Sequence, residues 1–470
     1  MYKSTFMGLN TALRGVLAQQ AALDTTGHNI SNIETTGYTR QRAEMRASQA
    51  WSNPSAFTQT SPGQIGTGVE VLSIERLRDQ YIDQNVRQQL GGQAANQTLV
   101  DQLGQVQAAF QEPSTNGLSK LLTEFFSAAD EVAKNPQESG ARQGFASAAE
   151  ALARGFNQVS ADLNNVMLQS DARLNDTVGE INGITSRIAA LNTDVKRAIE
   201  HGHQPNDLLD ARDLLMDDLS KITNYTSTTA ADGQVTITFG TFGNIVDPTV
   251  AGGSTPVTRA DLDAAFPADM TSGRAFADQQ LFVNIIPGYL AQLDALATEI
   301  VVQVNATNAA GFTATGAAGG NIFDPLFTSA AAMSLDGANS IMLDPRRIAA
   351  ADSWGGTGEP LNGNNFINLV NTVRGAGNGP LGGQTFEQYY SSLVTALGSQ
   401  AQAAERNVAN ADVLVDMAVG RRDQVSGVSM DEEMSNMLRF QHAYNASARV
   451  MSTMDELLDV LINRTGRVGL

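Results

Sequence analysis

The chain has 470 residues, of which 42% are hydrophobic, 6% aromatic and 17% charged, and it carries a formal net charge of −19 without any cysteine. An acidic surface repels phosphate groups and anionic lipids, so we expect no nucleic-acid partner; with no stretch of ~20 consecutive apolar residues we also expect no membrane insertion. The lack of thiols excludes disulfides and thiolate metal sites, and at roughly 150 residues per domain the length predicts two to four domains.

The N-terminal residues predict a long helix with a coiled-coil seam. Positions spaced alternately by four and three recur from the start of the chain, and seven of these nine are apolar. They are Tyr2, Phe6, Leu9, Leu13, Val16, Gln20, Leu23, Gly27 and Ile30. This alternation is typical of helices that pair along one stripe, although an ordinary amphipathic helix on a globular core shows a similar pattern.

The next part of the chain predicts extended structure followed by helices. Residues 38–74 read as extended, and helical periodicity covers about 75–110, 117–134, 139–201 and 206–222, with Asn206 as the expected N-cap of the last helix. The run GQIGTGVEV (residues 63–71) precedes a strand-like alternation instead of opening a helix. We therefore interpret it as a turn and not as a phosphate-binding loop.

Four aspartates of the predicted helix 206–222 share one face. Asp207, Asp210, Asp213 and Asp217 follow helical spacings, with leucines on the opposite side. Such carboxylates could bind a metal ion or serve acid–base chemistry. Because the leucines form the apolar face, we predict instead that the carboxylates lie on the solvent-exposed side of the helix.

The sequence changes character at about residue 223. A turn signal precedes alternating apolar residues at Val235, Ile237 and Phe239, which predicts strands in a small β-rich region at 223–286. Helical periodicity returns at 287–310, whereas residues 311–384 are rich in Gly, Asn and Pro and predict only short elements. From Thr385 to about residue 463 the pattern is helical again.

The C-terminal residues repeat the seam of the N-terminus. Eight of ten positions with the same alternating spacing are apolar. They are Met430, Met434, Met437, Gln441, Tyr444, Ala448, Met451, Asp455, Leu458 and Ile462. Matching seams at both ends favour helices that pair with each other or with other subunits.

No pattern in the chain predicts catalysis. The four histidines, His28, His201, His203 and His442, belong to no helical metal-binding motif, and metal sites usually need three or four convergent ligands. No nucleophile elbow or kinase signature occurs. We therefore expect no metal, no cofactor and no enzymatic activity.

Two segments closely resemble the terminal motifs of the bacterial flagellar axial proteins, the family of rod, hook and hook-associated proteins. LNTALRGVLAQQAALDTTGHNISNIETTGYTRQR (residues 9–42) is similar to an N-terminal pattern in which a helix ends in an HNIAN-like run followed by T-GY-R. VSGVSMDEEMSNMLRFQHAYNASARVMSTMDELLDVLI (residues 425–462) resembles the C-terminal signature. The HNISN and SGVSMDEE runs favour the hook-associated members, with a hook or distal rod protein as the alternative.

The resemblance implies roles for particular residues. The family-motif positions are His28, Asn29, Asn32, Gly37, Tyr38, Asp431, Glu432 and Glu433. We expect the Asn29 and Asn32 amides to satisfy backbone groups where the first helix ends, Gly37 to let the backbone turn, and His28 to lie at an interface. The expected assembly interface consists of Phe6, Leu9, Leu13, Val16, Leu23, Ile30, Met434, Met437, Tyr444, Met451, Leu458 and Ile462.

The resemblance also implies a function. We expect a structural component of the bacterial flagellum that forms the hook–filament junction by self-assembly through its terminal helices. Export through the flagellar type III apparatus would suit the N-terminus, which lacks the pattern of a secretory signal peptide. The implied partners are further copies in a ring, the hook protein, hook-associated protein 3 and a cytosolic export chaperone of FlgN type, for which the methionine-rich C-terminal seam is the expected docking site.

The expected fold is mainly α with a β-rich insert. Residues 1–37 and 430–470 would form terminal coiled-coil helices that are disordered in the monomer. Residues 38–222 and 287–429 would form a long-helix middle domain, and 223–286 an outward β domain. The alternatives are a soluble helical adaptor whose two ends pair within one chain, and an enzyme carrying the β domain, which the absence of a catalytic constellation disfavours.

Overall fold

The structure, a computed structural model, describes residues 5–50, 66–112, 114, 117–356, 362–375, 377, 379–460 and 462. It is mainly α-helical with a small β portion, which confirms the predicted fold class. The helices are α1 (Thr5–Ser31), α2 (Gln80–Phe110), α3 (Leu118–Lys134), α4 (Ser139–Glu200), α5 (Asn206–Ile222), α6 (Arg259–Ala265), α7 (Arg274–Gln280), α8 (Ile286–Ala309), α9 (Asn364–Asn368), α10 (Phe386–Ser426) and α11 (Met430–Asp459). The strands are β1 (Gln41–Ala47), β2 (Val69–Arg76), β3 (Thr226–Thr229), β4 (Val235–Phe239) and β5 (Gly243–Val246).

The chain divides into two compact units. The first comprises Met1–Gly91, Ile181–Val257 and Val413–Leu470, and the second comprises Gly92–Glu180 and Thr258–Asp412. Helices α2, α4 and α10 contribute residues to both. The segment predicted as one β-rich domain is shared as well, because β3, β4 and β5 belong to the first unit whereas α6 and α7 belong to the second.

Two small antiparallel sheets lie in the first unit. In the β1–β2 ribbon Gln41 pairs with Arg76, and β3, β4 and β5 form a second sheet in that order. The apolar residues of β4, Val235, Ile237 and Phe239, are buried and alternate with half-buried threonines, as the sequence predicts. The expected N-cap role of Asn206 is wrong: its amide donates to the Ile74 carbonyl and to Gln41 instead, because the ribbon lies against the start of α5.

The prediction of a solvent-exposed acidic face on α5 is wrong for three of its four aspartates. The side chains of Asp210, Asp213 and Asp217 are 8%, 14% and 9% exposed, and only Asp207 lies at the surface. Arginines from other elements reach this face. Arg76 lies 2.8 Å from both Asp210 and Asp213, Arg78 lies 3.2 Å from Asp213, and Arg87 and Arg422 lie 2.8 Å and 2.6 Å from Asp217.

This ion cluster connects four segments of the first unit through α5. Burial would raise the pKa of Asp213, but Arg78, Arg76 and Arg87 outweigh it and hold the pKa below its ordinary value. The aspartate is therefore ionised at neutral pH and needs its arginine partners. A buried ion pair adds little beyond what apolar packing would supply, yet the loss of one partner is costly because the other charge stays buried.

The second unit has a continuous apolar core. Phe125 of α3 packs on the adjacent Phe126 and on Phe145 of α4, and Phe126 stacks on Phe386 of α10. Residues 311–384 pack into this core through a group of buried side chains, and short elements are all that the described part of this segment forms. The group comprises Ile322, Phe323, Ala330, Met333, Ile341, Ile348, Ala350, Phe366, Leu369 and Leu381.

One helical stretch, Arg274–Ala309, is long and apolar enough to cross a membrane by length and composition. Its apolar residues do not face outwards as a group. Leu293, Leu296, Ile300 and Val304 are buried in the core of the second unit. The stretch is therefore packed like a core helix.

We predict that Asp213→Asn lowers the free energy of unfolding of the first unit by about 3 kcal/mol at pH 7, because it removes one partner from a buried ion cluster. Asp278→Asn in the second unit is the matched control. Burial raises the pKa of Asp278 despite Arg173 and Gln102, so a neutral side chain suits that site and the cost stays below about 1 kcal/mol. Denaturant-dependent hydrogen exchange, resolved by peptide, measures the free energy of unfolding of each unit separately.

The two aspartates also predict opposite dependences on pH. The stabilisation from Asp213, whose pKa is lowered, is present above the unfolded value near 3.9 and disappears as the pH falls through the folded value. The pKa of Asp278 is raised, so its ionisation weakens the second unit as the pH rises above about 4. Equal losses in both units for both variants would contradict this account.

Candidate assembly interface

The two terminal helices pair within one chain. A Cβ atom added to Gly8 would lie 3.0 Å from Met454 Sδ, and one added to Gly15 would lie 3.0 Å from Ser447 Oγ. At the other end of α1, Asn29 donates to Glu433. Each step forward along α1 is matched by the same step backward along α11, so the helices are antiparallel.

The seam of the pair sets small residues against large ones. Gly8 and Gly15 of α1 face α11, whose half-buried residues include a stripe that alternates by three and four residues between Glu433 and Leu458. These positions are Met437, Phe440, Tyr444, Ser447, Met451 and Met454. Glycines let the helix backbones approach closely, so the larger α11 side chains can lie over them.

The structure divides the predicted interface residues into two groups. Within or beside the seam, Val16 and Leu458 are buried, and the rest are half-buried. The half-buried residues are Leu9, Leu23, Ile30, Met437, Tyr444 and Met451. The second group is exposed and contains Phe6, Leu13, Met434 and Ile462, at 57%, 42%, 47% and 68% exposure.

Other exposed apolar residues join the second group. Leu17 of α1 is 56% exposed and follows Leu13 by one turn, a position that the predicted seam omitted. On α11, Leu438, Val450 and Leu457 are exposed too. We call Phe6, Leu13, Leu17, Met434, Leu438, Val450 and Leu457 the outer apolar residues. A search for apolar residues at alternating spacings of four and three detects one stripe of a helix. Apolar residues on a second stripe, such as Leu17, are therefore missed.

Asn29 joins three segments where the pair meets the β1–β2 ribbon. Its amide nitrogen donates to the Gln41 carbonyl at 2.8 Å and to Glu433 at 3.1 Å. Its oxygen accepts from the Tyr38 hydroxyl at 2.7 Å and from the Gln41 backbone N–H at 3.0 Å. Burial, together with nearby carboxylates, raises the pKa of Tyr38, so that hydroxyl keeps its proton and remains a donor.

Arg40, for which the sequence predicts no role, completes this cluster. Its guanidinium lies 2.7 Å from Glu433 and also 2.7 Å from Glu432, and its backbone N–H donates to the Ser426 carbonyl at 2.9 Å. Glu433 is 2% exposed whereas Glu432 is 63% exposed. Asp431 shares the first turn of α11, where the helix dipole favours negative charge. Only the TRQR letters in the family motif could have drawn attention to Arg40.

The remaining motif residues shape the turn after α1. Asn32 donates to the His28 carbonyl at 3.0 Å, which satisfies a backbone group at the helix end, and Gly37 has a φ of 83° that favours glycine. The His28 ring packs edge-on to Tyr38, and its Nε2 lies 3.5 Å from Asp207. Among the described residues, no group of three or more His, Asp and Glu side chains could hold a metal ion.

We predict that Gly15→Cys with Ser447→Cys forms a disulfide under mild oxidation. The Cβ atoms would lie 3.5 Å apart, within the range that a disulfide accepts. Gly8→Cys with Ser447→Cys is the control, since a shift of one heptad separates the thiols by about 10 Å. Non-reducing gels and mass spectrometry distinguish the products, and a dominant control disulfide would overturn the register.

Three family models match the chain. The flagellar hook-associated protein FlgK helical domain matches residues 103–323, the flagellar basal body rod FlgEFG protein C-terminal model matches 422–464, and the flagella basal body rod protein model matches 9–39. The last two matches contain the Asn29 and Glu433 ends of the cluster. Both terminal segments therefore resemble those of flagellar basal body rod proteins.

Relatives match along the whole chain. Flagellar hook-associated protein 1 of Bacillus subtilis is 32% identical, covering 99% of this chain and 99% of the relative, and that of Escherichia coli is 25% identical over 97% and 99%. The solved flagellar hook junction protein FlgK of Burkholderia pseudomallei has a TM-score of 0.60 at 16% identity, covering 73% of this chain and 100% of that chain, which shows a shared fold. This chain therefore belongs to the flagellar hook-associated protein 1 family of bacterial flagellar structural proteins.

Proposed function

We propose that the chain is a structural subunit of the hook–filament junction that joins neighbouring subunits through the outer apolar residues of α1 and α11. The observation that carries the proposal is the exposure of these residues. They lie on two helices whose facing stripes already pack against each other. Apolar side chains left at a surface in this number are typical of a protein–protein interface. The family relationship makes other flagellar subunits the natural occupants.

The α1–α11 pair buries little of its own surface. Of the α11 side chains only Glu433 and Leu458 are fully buried, and large residues such as Phe440 and Met451 stay half-buried. Most helical stability in proteins comes from tertiary burial of an apolar face. A pair with so narrow a seam gains stability when neighbouring subunits cover its outer residues.

In the free subunit, the terminal helices would therefore be disordered away from the Asn29–Glu433 cluster. Copies arranged in a ring would order them by covering the outer apolar residues, so that folding and assembly are coupled. Hook protein on one side and hook-associated protein 3 on the other are the proposed axial partners. Disordered ends would also suit export in an unfolded state through the type III apparatus.

Before export, exposed methionines of α10 and α11, which include the outer apolar residue Met434, offer a docking site for a cytosolic chaperone of FlgN type. Met417 near the end of α10 and Met430 and Met434 at the start of α11 are exposed at 66%, 43% and 47%. Methionine side chains adapt to different partners because they are unbranched and flexible. One surface could thus serve the chaperone first and a neighbouring subunit afterwards.

We predict that Leu13→Asp reduces incorporation into the junction by about tenfold or more, since assembly would bury an unpaired carboxylate. Asn10→Asp on the same helix is the matched control, because Asn10 is an exposed polar residue and its substitution adds the same charge. Filament number per cell and the amount of subunit in sheared flagella measure the effect. Normal filaments with Leu13→Asp would remove α1 from the interface.

We also predict that trypsin cleaves the free subunit after Arg14 and Arg449, which are exposed and lie at nearly the same level of the pair. Cleavage after Arg422 should be slow, because that side chain is paired with Asp217 at 2.6 Å. The oxidised Gly15→Cys, Ser447→Cys variant supplies the protected reference. Mass spectrometry of timed digests identifies the sites.

Resistance at both exposed arginines would support a second candidate function. The observation that favours it is the pairing of α1 with α11 inside one chain. A subunit whose ends are already folded would behave as a helical adaptor that binds partners through preformed surfaces. Protection that appears only after assembly would support the junction subunit.

A further inference from the structure

The seam of the α1–α11 pair does not define its own register. Gly8, Gly15 and Ala22 recur every seven residues along α1, and Met454, Ser447 and Phe440 recur every seven residues along the facing helix. A slip of one heptad would again place small residues of α1 opposite this set of α11 positions, with Gly8 at Ser447 and Gly15 at Phe440. Apolar packing alone therefore distinguishes poorly between the two alignments.

The connection between α10 and α11 does not determine the register either. Gly427 closes the end of α10, where an added Cβ atom would lie 2.4 Å from the Asp423 carbonyl oxygen, so α11 starts as a separate helix. Its main packing partner is α1. Unwinding a helical residue gains about 1.8 Å of length, so six residues of the first turns would supply the ~10 Å of a one-heptad slip.

Glu433 is the one buried side chain in those first turns of α11. It holds Arg40 at 2.7 Å and accepts from Asn29 at 3.1 Å, while Arg40 in turn donates to the Ser426 carbonyl on the other side of the break. In a slipped pair these first turns would be unwound and drawn along α1, so the carboxylate would leave both Arg40 and Asn29. Buried polar contacts of this kind select one alignment because every other alignment leaves them unpaired.

We propose that Glu433, held by Arg40 and Asn29, is the register-determining contact of the α1–α11 pair. The contact acts as a positioning cluster at the base of the pair. It fixes which residues of α11 lie opposite which residues of α1, and so it fixes the arrangement of the outer apolar residues on the surface. The inference concerns contacts within one subunit and does not depend on the proposed junction role.

The test measures the ratio of two disulfides in the free subunit, which has no native cysteine. The aligned pair is Gly15→Cys with Ser447→Cys, and the slipped pair is Gly8→Cys with Ser447→Cys. Glu433→Gln should raise the slipped-to-aligned ratio of oxidation rates by about tenfold or more, because one partner of a buried ion pair is lost. The ratio of the two oxidation rates can be measured even when α1 and α11 are separated for much of the time.

Glu432→Gln is the matched control. It removes the same charge from the same arginine one residue earlier, but Glu432 is 63% exposed, so the ratio should not change. Arg40→Gln removes the contact from the other side and should reproduce the effect of Glu433→Gln; far-UV circular dichroism checks that both variants fold. An unchanged ratio in both variants, or an equal rise with Glu432→Gln, would overturn the proposal.

Discussion

The burial of one carboxylate connects the two ends of this chain. Glu433 is 2% exposed at the start of α11, where Arg40 and Asn29 both meet its carboxylate. Both partners come from residues that follow or end α1, about four hundred positions earlier in the sequence. At Gly8 and Gly15 the two helices meet through small or apolar side chains, which tolerate more than one alignment.

The same principle governs the centre of the first unit. The acidic face of α5 holds arginines from β2, α2, α10 and the segment after β2, so that elements far apart in the sequence meet at three aspartates. Such clusters are sensitive to the loss of any one member, because the remaining charges stay buried. In both places, charged groups determine which segments meet, and apolar packing fills the space around them.

Periodicity explains why the helices could be predicted and why these clusters could not. Spacings of three and four place Asp210, Asp213 and Asp217 on one face of α5 with certainty, because that is a property of the helix. Whether the face meets water or arginines depends on Arg76 and Arg87, which no local pattern connects to it. Similarly, periodicity predicts that Met437, Tyr444, Met451 and Leu458 share one stripe of a helix and favours pairing of the two ends, but it does not identify the glycine-containing face of α1 that α11 meets. Gly8 and Gly15 of α1, which meet Met454 and Ser447, look like weak helix formers when read alone.

At the N-terminus, the alternating spacing of apolar residues has the correct helical period but marks the stripe beside the one that faces α11. Leu9 and Val16 each follow by one residue the glycines that face α11, and Leu13 and Leu17 lie further round the helix. A helix with apolar residues on more than one side needs more than one partner. Within the subunit α1 has α11 and the β1–β2 ribbon on its flanks, and its exposed leucines are left over. That excess of apolar surface is the physical reason to expect further subunits around the pair, and an accurate alignment of α11 on α1 is the condition for presenting the same surface on every copy.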